Sequence, residues 1–123
     1  MHAFRSARLA AIFFAAWILL GSGAARAHAI VVSAQPAVDA VVHGTTAEVV
    51  LRFNSRIDRE RSRLLLVHAD GAATPLTLKD ASGPDTLAAT AAGLVPGAYR
   101  LRWQVLAIDG HITRGDIPFT VAP

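Results

Sequence analysis

The sequence predicts an all-β protein, a single β-sandwich of immunoglobulin-like size with about seven strands. Three observations support this fold class. Apolar and polar residues alternate along several segments, turn-forming residues separate those segments at short intervals, and no segment shows a sustained helical period. The 123-residue chain contains no internal repeat and no linker, so one domain is expected.

The clearest strands are "AEVVLRF" and "AYRLRWQVLA". The first places Val49, Leu51 and Phe53 on one face, and the second places Tyr99 and Trp103 on one face, as in half-buried antiparallel strands. Trp103 is therefore predicted to anchor the core between the sheets. Further short strands are predicted in the segments "AIVVSA", "RLLLVHA", "ATPLTL", "TLAATA" and "GDIPFTV".

The first 27 residues have the organisation of a secretory signal peptide. Arg5 and Arg8 precede the uncharged run "LAAIFFAAWILL", and the small-x-small sequence "ARA" ends at Ala27. The run is shorter than the roughly 20 residues of a membrane span. Residues 1–27 are therefore predicted to be a cleaved signal peptide, and residues 28–123 an exported, periplasmic domain. An uncleaved anchor and a cut after Ala29 remain alternatives.

Removal of this leader changes the charge of the protein. The whole chain carries a net charge of +3, but the leader contains three of the twelve basic residues and none of the nine acids. The remaining domain has nine of each and a net charge of zero, which argues against nucleic-acid binding. The chain has no cysteine, and its one methionine is Met1, so sulfur ligands and disulfides are excluded from the domain.

The segment "AIDGHITRG" predicts a tight hairpin turn that also carries metal-binding side chains. Asp109-Gly110 between two alternating runs is typical of a two-residue primed turn, in which Gly110 supplies a positive φ. The next residue is His111, so a carboxylate and an imidazole lie together at one tip. A simple turn explains the dipeptide, whereas a metal site requires further ligands from elsewhere in the chain.

His28 could supply those ligands if cleavage made it the first residue. Its amine and its ring Nδ1 could then chelate one ion, and deprotonating an α-amine at pH 7 costs only about 1 kcal/mol. With His111 and Asp109 the site would have three nitrogens and one oxygen, a set that suits tetragonal Cu(II), whereas Zn(II) prefers a tetrahedron. Surface or turn roles are favoured for His43 and His68, although His43 stays open as an additional ligand.

The exported part resembles the CopC family of periplasmic copper-binding proteins along essentially its whole length. The resemblance is carried by "AHA", "SAQPAVDAVV", "VVLRFNSRI" and "LVPGAYRLRWQVLAIDGHITRGDIPFTV". It implies a cupredoxin-like or immunoglobulin-like Greek-key β-sandwich with a Cu(II) site at His28, Asp109 and His111. It also implies copper buffering, copper resistance or delivery of copper to a CopD-like transporter in the inner membrane.

The chain departs from the family pattern at three points. Ile112 follows the second histidine where many members have proline, and Asn54 and Ser55 end the second strand without the acid that often follows there. The absence of methionine after Met1 indicates the kind of member that binds only Cu(II), not Cu(I).

Two other functions compete with copper binding. Copper-dependent oxidative enzymes also use an N-terminal histidine on a β-sandwich, but Tyr99 and Trp103 fall on a core face here, and Asp109 would crowd an open coordination position. A metal-free interaction module would result from cleavage after Ala29, which discards His28. The sequence contains no Ser-His-Asp arrangement and no glycine-rich phosphate loop. We therefore expect a monomeric binding protein, not an enzyme.

Overall fold

The computed structural model describes residues 29–81 and 83–123, which form two β-sheets around a common core. The described residues contain eight strands: β1 (Val31–Gln35), β2 (Ala40–Val42), β3 (Ala47–Phe53), β4 (Ile57–Val67), β5 (Ala73–Pro75), β6 (Thr86–Ala91), β7 (Gly97–Ala107) and β8 (Ile112–Val121). The smaller sheet has the order β1-β3-β6, and the larger has the order β2-β8-β7-β4-β5. The predicted all-β sandwich is confirmed. The predicted signal peptide, residues 1–27, and His28 lie outside the described residues.

The burial pattern confirms that alternation builds these strands. In β3 the odd-numbered residues from Ala47 to Phe53 are buried and their neighbours face outward, and β7 alternates in the same way from Tyr99 onward.

Two parts of the observed strands were not predicted from the sequence. The first half of β4 is rich in charge, and β2 has only three residues, which pair in parallel with the end of β8. No helix in the described ranges is long and apolar enough to cross a membrane.

Trp103 is buried between the sheets, as predicted. Its ring meets Phe53 of the opposite sheet edge-on, with the ring centroids 5.2 Å apart. It also lies over Gly115, its partner residue on β8. A Cβ added at Gly115 would come within 2.5 Å of Trp103 Cζ2, so glycine is required for this close approach. The same core holds Tyr99, which stacks on Phe119 with the ring centroids 5.5 Å apart.

The sheet topology brings the start of the described chain to the tip of the last hairpin. Strands β7 and β8 pair without interruption, from Gly97 opposite Val121 to Leu106 opposite Ile112. Residues 108–111 form the tip of this hairpin. In the smaller sheet Val31 pairs with Phe53, the last residue of β3. The amide of Ile108 donates to the carbonyl of Arg56, just after β3, at 3.1 Å. The beginning of β1 and the tip of the hairpin therefore lie at the same end of the sandwich.

Candidate metal centre

The hairpin that carries Asp109 and His111 is closed by two backbone hydrogen bonds. Gly110 N–H donates to the carbonyl of Ala107 at 2.9 Å, and Ala107 N–H donates to the carbonyl of His111 at 2.8 Å. Gly110 has a φ of +91°. Ile108 and Asp109 are thus the central residues of a β-turn, and Gly110 follows in the left-handed region, the arrangement of a three-residue hairpin loop.

The expectation of a two-residue turn centred on Asp109-Gly110 is therefore wrong by one residue. The positive φ belongs to Gly110 as expected, but Ile108 enters the loop before Asp109. The physical reason is that a β-turn followed by one left-handed glycine also matches the twist of the two strands, and it needs no positive φ at Asp109. In this loop the Asp109 side chain points toward His111.

Asp109 binds His111 through both carboxylate oxygens. Oδ1 accepts a hydrogen bond from the backbone N–H of His111 at 3.1 Å. Oδ2 lies 3.0 Å from Nδ1 of the same residue. The carboxylate is 28% exposed and the imidazole 60% exposed, so both side chains reach the solvent-facing surface of the hairpin. The structure thus brings these two predicted site residues together.

These hydrogen bonds favour the ionised form of the Asp109 carboxyl. The bond from the His111 backbone N–H, followed by the bond from its ring, holds the pKa of the Asp109 carboxyl below its usual value. An ionised carboxylate only accepts hydrogen bonds, so the ring nitrogen that faces it, Nδ1, must carry the hydrogen. A neutral His111 ring then has its lone pair on Nε2, the nitrogen with which it could bind a metal.

The start of the described chain is bound to the same hairpin. Thr113 Oγ1 donates a hydrogen bond of 2.9 Å to the backbone carbonyl of Ala29. Thr113 lies two residues after His111 on β8. Ala29 is only 2% exposed and belongs to the hydrophobic core. The residue at the beginning of the described domain is therefore fixed to β8 two residues beyond His111.

Asn54 holds the next residue of this segment from the other side. Its side-chain Oδ1 accepts from the backbone N–H of Ile30 at 2.8 Å, and its backbone N–H donates to the carbonyl of Ile30 at 2.9 Å. The peptide group between Ala29 and Ile30 is thus held on both sides, its carbonyl by Thr113 and its N–H by Asn54. Asn54 also binds the carbonyl of the next peptide group. Sequence reasoning missed Thr113 altogether, and it noted Asn54 only as a replacement for an acid.

The other two histidines in the described part of the chain, His43 and His68, lie far from the Asp109–His111 pair. His43 follows Val42, which pairs with Val121 at the opposite end of β8, about 30 Å along the strand. His68 follows β4 at the end where Val67 pairs with Arg100, about 20 Å along β7 from the hairpin tip. Its Nε2 lies 3.0 Å from Thr74 Oγ1, the cross-strand role expected of it.

No group of three or more histidine, cysteine, aspartate or glutamate side chains converges within residues 29–81 and 83–123. Among these residues the candidate centre therefore consists of Asp109 and His111. The third predicted ligand, His28, lies outside the described residues.

Comparison with known proteins identifies the family. The CopC domain model matches residues 31–122. The chain belongs to the CopC family. The structure of CopC from Methylosinus trichosporium OB3b is similar, with a TM-score of 0.70 and 29% identity over 78% of this chain and 95% of that one. PcoC, a methionine-rich copper resistance protein from Escherichia coli, has a TM-score of 0.59 and 23% identity over 77% of this chain and 99% of that one. A comparison with curated proteins gives no match. The family relationship supports a copper-related function.

Exposed aliphatic side chains lie on either side of the candidate centre along this CopC chain. Ile108 and Ile112 flank the Asp109–His111 pair and are 72% and 55% exposed, and Ile30 is 57% exposed. Ile112 directly follows His111 in the chain. Its backbone pairs with Leu106 as the first residue of β8, so the regular ladder begins directly after His111.

Proposed function

We propose that this CopC protein binds one Cu(II) ion in the periplasm through His28, Asp109 and His111. In this proposal the signal peptide is removed after Ala27, and the new N-terminal residue supplies its amine and its ring. His111 supplies a third nitrogen and Asp109 an oxygen. The ion is held for copper buffering, for resistance, or for delivery to a membrane transporter of the CopD type.

The hydrogen bond between Thr113 and Ala29 is the observation that carries the proposal. Adjacent Cα atoms are 3.8 Å apart along a chain. A residue bonded to the nitrogen of Ala29 is therefore the direct neighbour of the residue that Thr113 holds. Thr113 lies on β8, two residues beyond His111. An N-terminal His28 needs no long, flexible segment to reach the hairpin, which lowers the entropy lost when the metal is bound.

The chemistry of the donor set favours Cu(II). Nitrogen and carboxylate ligands without sulfur suit Cu(II), and Cu(II) stands at the top of the divalent affinity order for such ligands. Residues 28–123 contain neither methionine nor cysteine, the soft ligands that favour Cu(I). The fixed Asp109–His111 pair also reduces the cost of assembling the site, because both side chains are already oriented by hydrogen bonds.

A binding role without turnover agrees best with the residues around the site. The neighbours Ile108 and Ile112 are exposed aliphatic residues. Trp103 and Tyr99 are buried in the core, so neither ring forms a flat surface for a polysaccharide. We propose a monomeric carrier whose ligand is the copper ion.

The proposal is tested by mass spectrometry of the exported protein, followed by titration with Cu(II). We expect a mature chain that begins at His28 and binds one equivalent, with nitrogen hyperfine structure in the electron paramagnetic resonance spectrum. His111→Ala should abolish tight binding, whereas the matched control His68→Ala should retain it. A mature chain that begins at Ile30, or equal affinity in the two variants, would refute the assignment of the ligands.

A further inference from the structure

The outer face of the five-stranded sheet concentrates positive charge. Outward-facing residues on β4, β7 and β8 are paired in rows across the sheet. The central rows contain four arginines and one aspartate, which we call the arginine face: Arg63, Arg100, Arg102, Arg114 and Asp116. All four arginines are exposed.

The charge of this face is distinct from that of the rest of the domain. Residues 29–123 contain nine basic and nine acidic residues and are neutral overall. The arginine face holds four of those basic residues and one of the acids, a net charge of +3. At its border Asp58 is offset by Arg61, whose Nε lies 3.8 Å from the carboxylate. The neutral domain is therefore strongly polarised.

Hydrogen bonds between neighbouring side chains hold the guanidinium groups in place. Arg102 donates through Nε and Nη2 to the two oxygens of Asp116, at 3.0 and 3.2 Å. Arg100 donates through Nη1 to the same carboxylate at 3.2 Å. Arg114 donates through Nε to Gln104 at 2.8 Å. A guanidinium has five N–H groups, so each of these arginines keeps donors beyond those used within the sheet.

Exposed aliphatic side chains lie at both ends of the same face. Ile112 is 55% exposed and pairs with Leu106 in the row nearest the hairpin tip. Val41 is 59% exposed and pairs with Thr120 at the other end of the sheet. The face therefore combines a central array of fixed cations with apolar side chains at its ends, a combination typical of proteins that lie on a lipid surface.

We propose that the arginine face docks the protein on a membrane surface that contains anionic phospholipids. Guanidinium groups bind phosphate oxygens in a bidentate manner. Here they are spread over three neighbouring strands and do not converge on one pocket, which fits a planar array of headgroups better than a single small anion. Because the side chains are already ordered within the sheet, little entropy is lost on docking. None of its arginines is a ligand in the proposed metal centre, and docking does not require copper.

The test is co-sedimentation of the metal-free protein, beginning at His28, with phospholipid vesicles. We expect binding to vesicles with about one-third phosphatidylglycerol, little binding to pure phosphatidylcholine, and release at about 1 M salt, where the Debye length is about 3 Å. Arg63→Gln with Arg114→Gln should weaken the partition on the order of 25-fold, or about fivefold for each charge. Asp116→Asn should strengthen it about fivefold, since it adds one net positive charge to the face.

The matched control is Arg52→Gln with Lys79→Gln. It removes the same charge from the three-stranded-sheet side, where Arg52 lies on β3 and Lys79 bonds to Glu48 and Thr90. We expect this variant to bind as the wild type does, and circular dichroism of every variant verifies folding. Equal loss in both double variants, or no binding to anionic vesicles, would overturn the proposal. Binding to polyglutamate without binding to vesicles would also overturn it and would indicate an acidic protein partner instead.

Discussion

The hydroxyl of Thr113 and the carbonyl of Ala29 are joined by a hydrogen bond of 2.9 Å across 84 positions of the chain. This bond fastens the beginning of the described domain to the strand that carries His111. Since Ala29 is also buried in the core, the segment before β1 is a fixed part of the sandwich. The proposed copper site depends on this attachment, because it would place the N-terminal amine beside the hairpin.

Thr113→Val should therefore weaken copper binding without removing any ligand. Valine has the shape of threonine but cannot donate to the Ala29 carbonyl, so we expect about tenfold weaker Cu(II) affinity, as for the loss of a group that orients a ligand. We also expect about 1 kcal/mol less free energy of unfolding. Competition titration and urea denaturation measure the two effects. Thr120→Val, on the exposed face of the same strand, is the control, and an equal loss of affinity there would contradict the interpretation.

Asp109→Asn should separate the charge of the carboxylate from its hydrogen bonds. The amide oxygen can still accept from the His111 backbone N–H, so the hairpin should keep its shape. The negative charge is lost, and we expect Cu(II) affinity to fall about 10- to 100-fold. The decrease should be smaller than that of His111→Ala, because the other three donors remain. Unchanged affinity and an unchanged electron paramagnetic resonance spectrum would exclude Asp109 from the site.

Gly115→Ala should destabilise the domain, although the backbone at this position requires no positive φ. The added methyl group would lie 2.5 Å from Trp103 Cζ2, and overpacking of this kind costs about 1–3 kcal/mol. Urea denaturation measures the change in the free energy of unfolding. Trp103→Phe provides the cross-check, because the smaller ring leaves space for the methyl group. The cost of Gly115→Ala should then shrink in that background, and an undiminished cost would refute the steric explanation.

Asp116 should contribute a small stabilisation that disappears in acid. Hydrogen bonds from Arg102, and then the charges of Arg102 and Arg100, hold the pKa of this carboxyl below its usual value. A lowered folded-state pKa stabilises the protein above the unfolded pKa of about 3.9, and the contribution is lost as the pH falls through the folded value. Asp116→Asn should cost at most about 1 kcal/mol at pH 7, because the pair is exposed. The difference from the wild type should vanish toward pH 2, and a difference that persisted there would contradict the assignment.

Much of the fold follows from local pattern. The alternation in "AEVVLRF" gives a strand with the same bounds in the structure, β3, because this strand buries one face and exposes the other. The segment "TLAATA" also has the bounds of its strand, β6, although five of its six residues are buried. The three-residue β2 was not predicted, since a strand this short carries little periodicity of its own. Its position is set by tertiary pairing with β8.

The candidate site was predictable only in part for a similar reason. Asp109 and His111 are two residues apart, so the hairpin alone brings them together. The contacts of Thr113 with Ala29 and of Asn54 with Ile30 join distant parts of the chain, and neither threonine nor asparagine has a pattern that predicts such a partner. The turn was misplaced by one residue because Asp-Gly suits both the two-residue and the three-residue loop.

The most direct test of the account is the Cu(II) affinity of the domain that begins at His28, compared with the same domain extended by one methionine. The extension converts the proposed amine ligand into a peptide nitrogen and leaves every side chain in place. We predict a loss larger than the roughly 10- to 100-fold that follows removal of an orienting group, with a changed electron paramagnetic resonance spectrum and an unchanged free energy of unfolding in the absence of copper. Equal affinity and identical spectra for the two proteins would contradict the central claim.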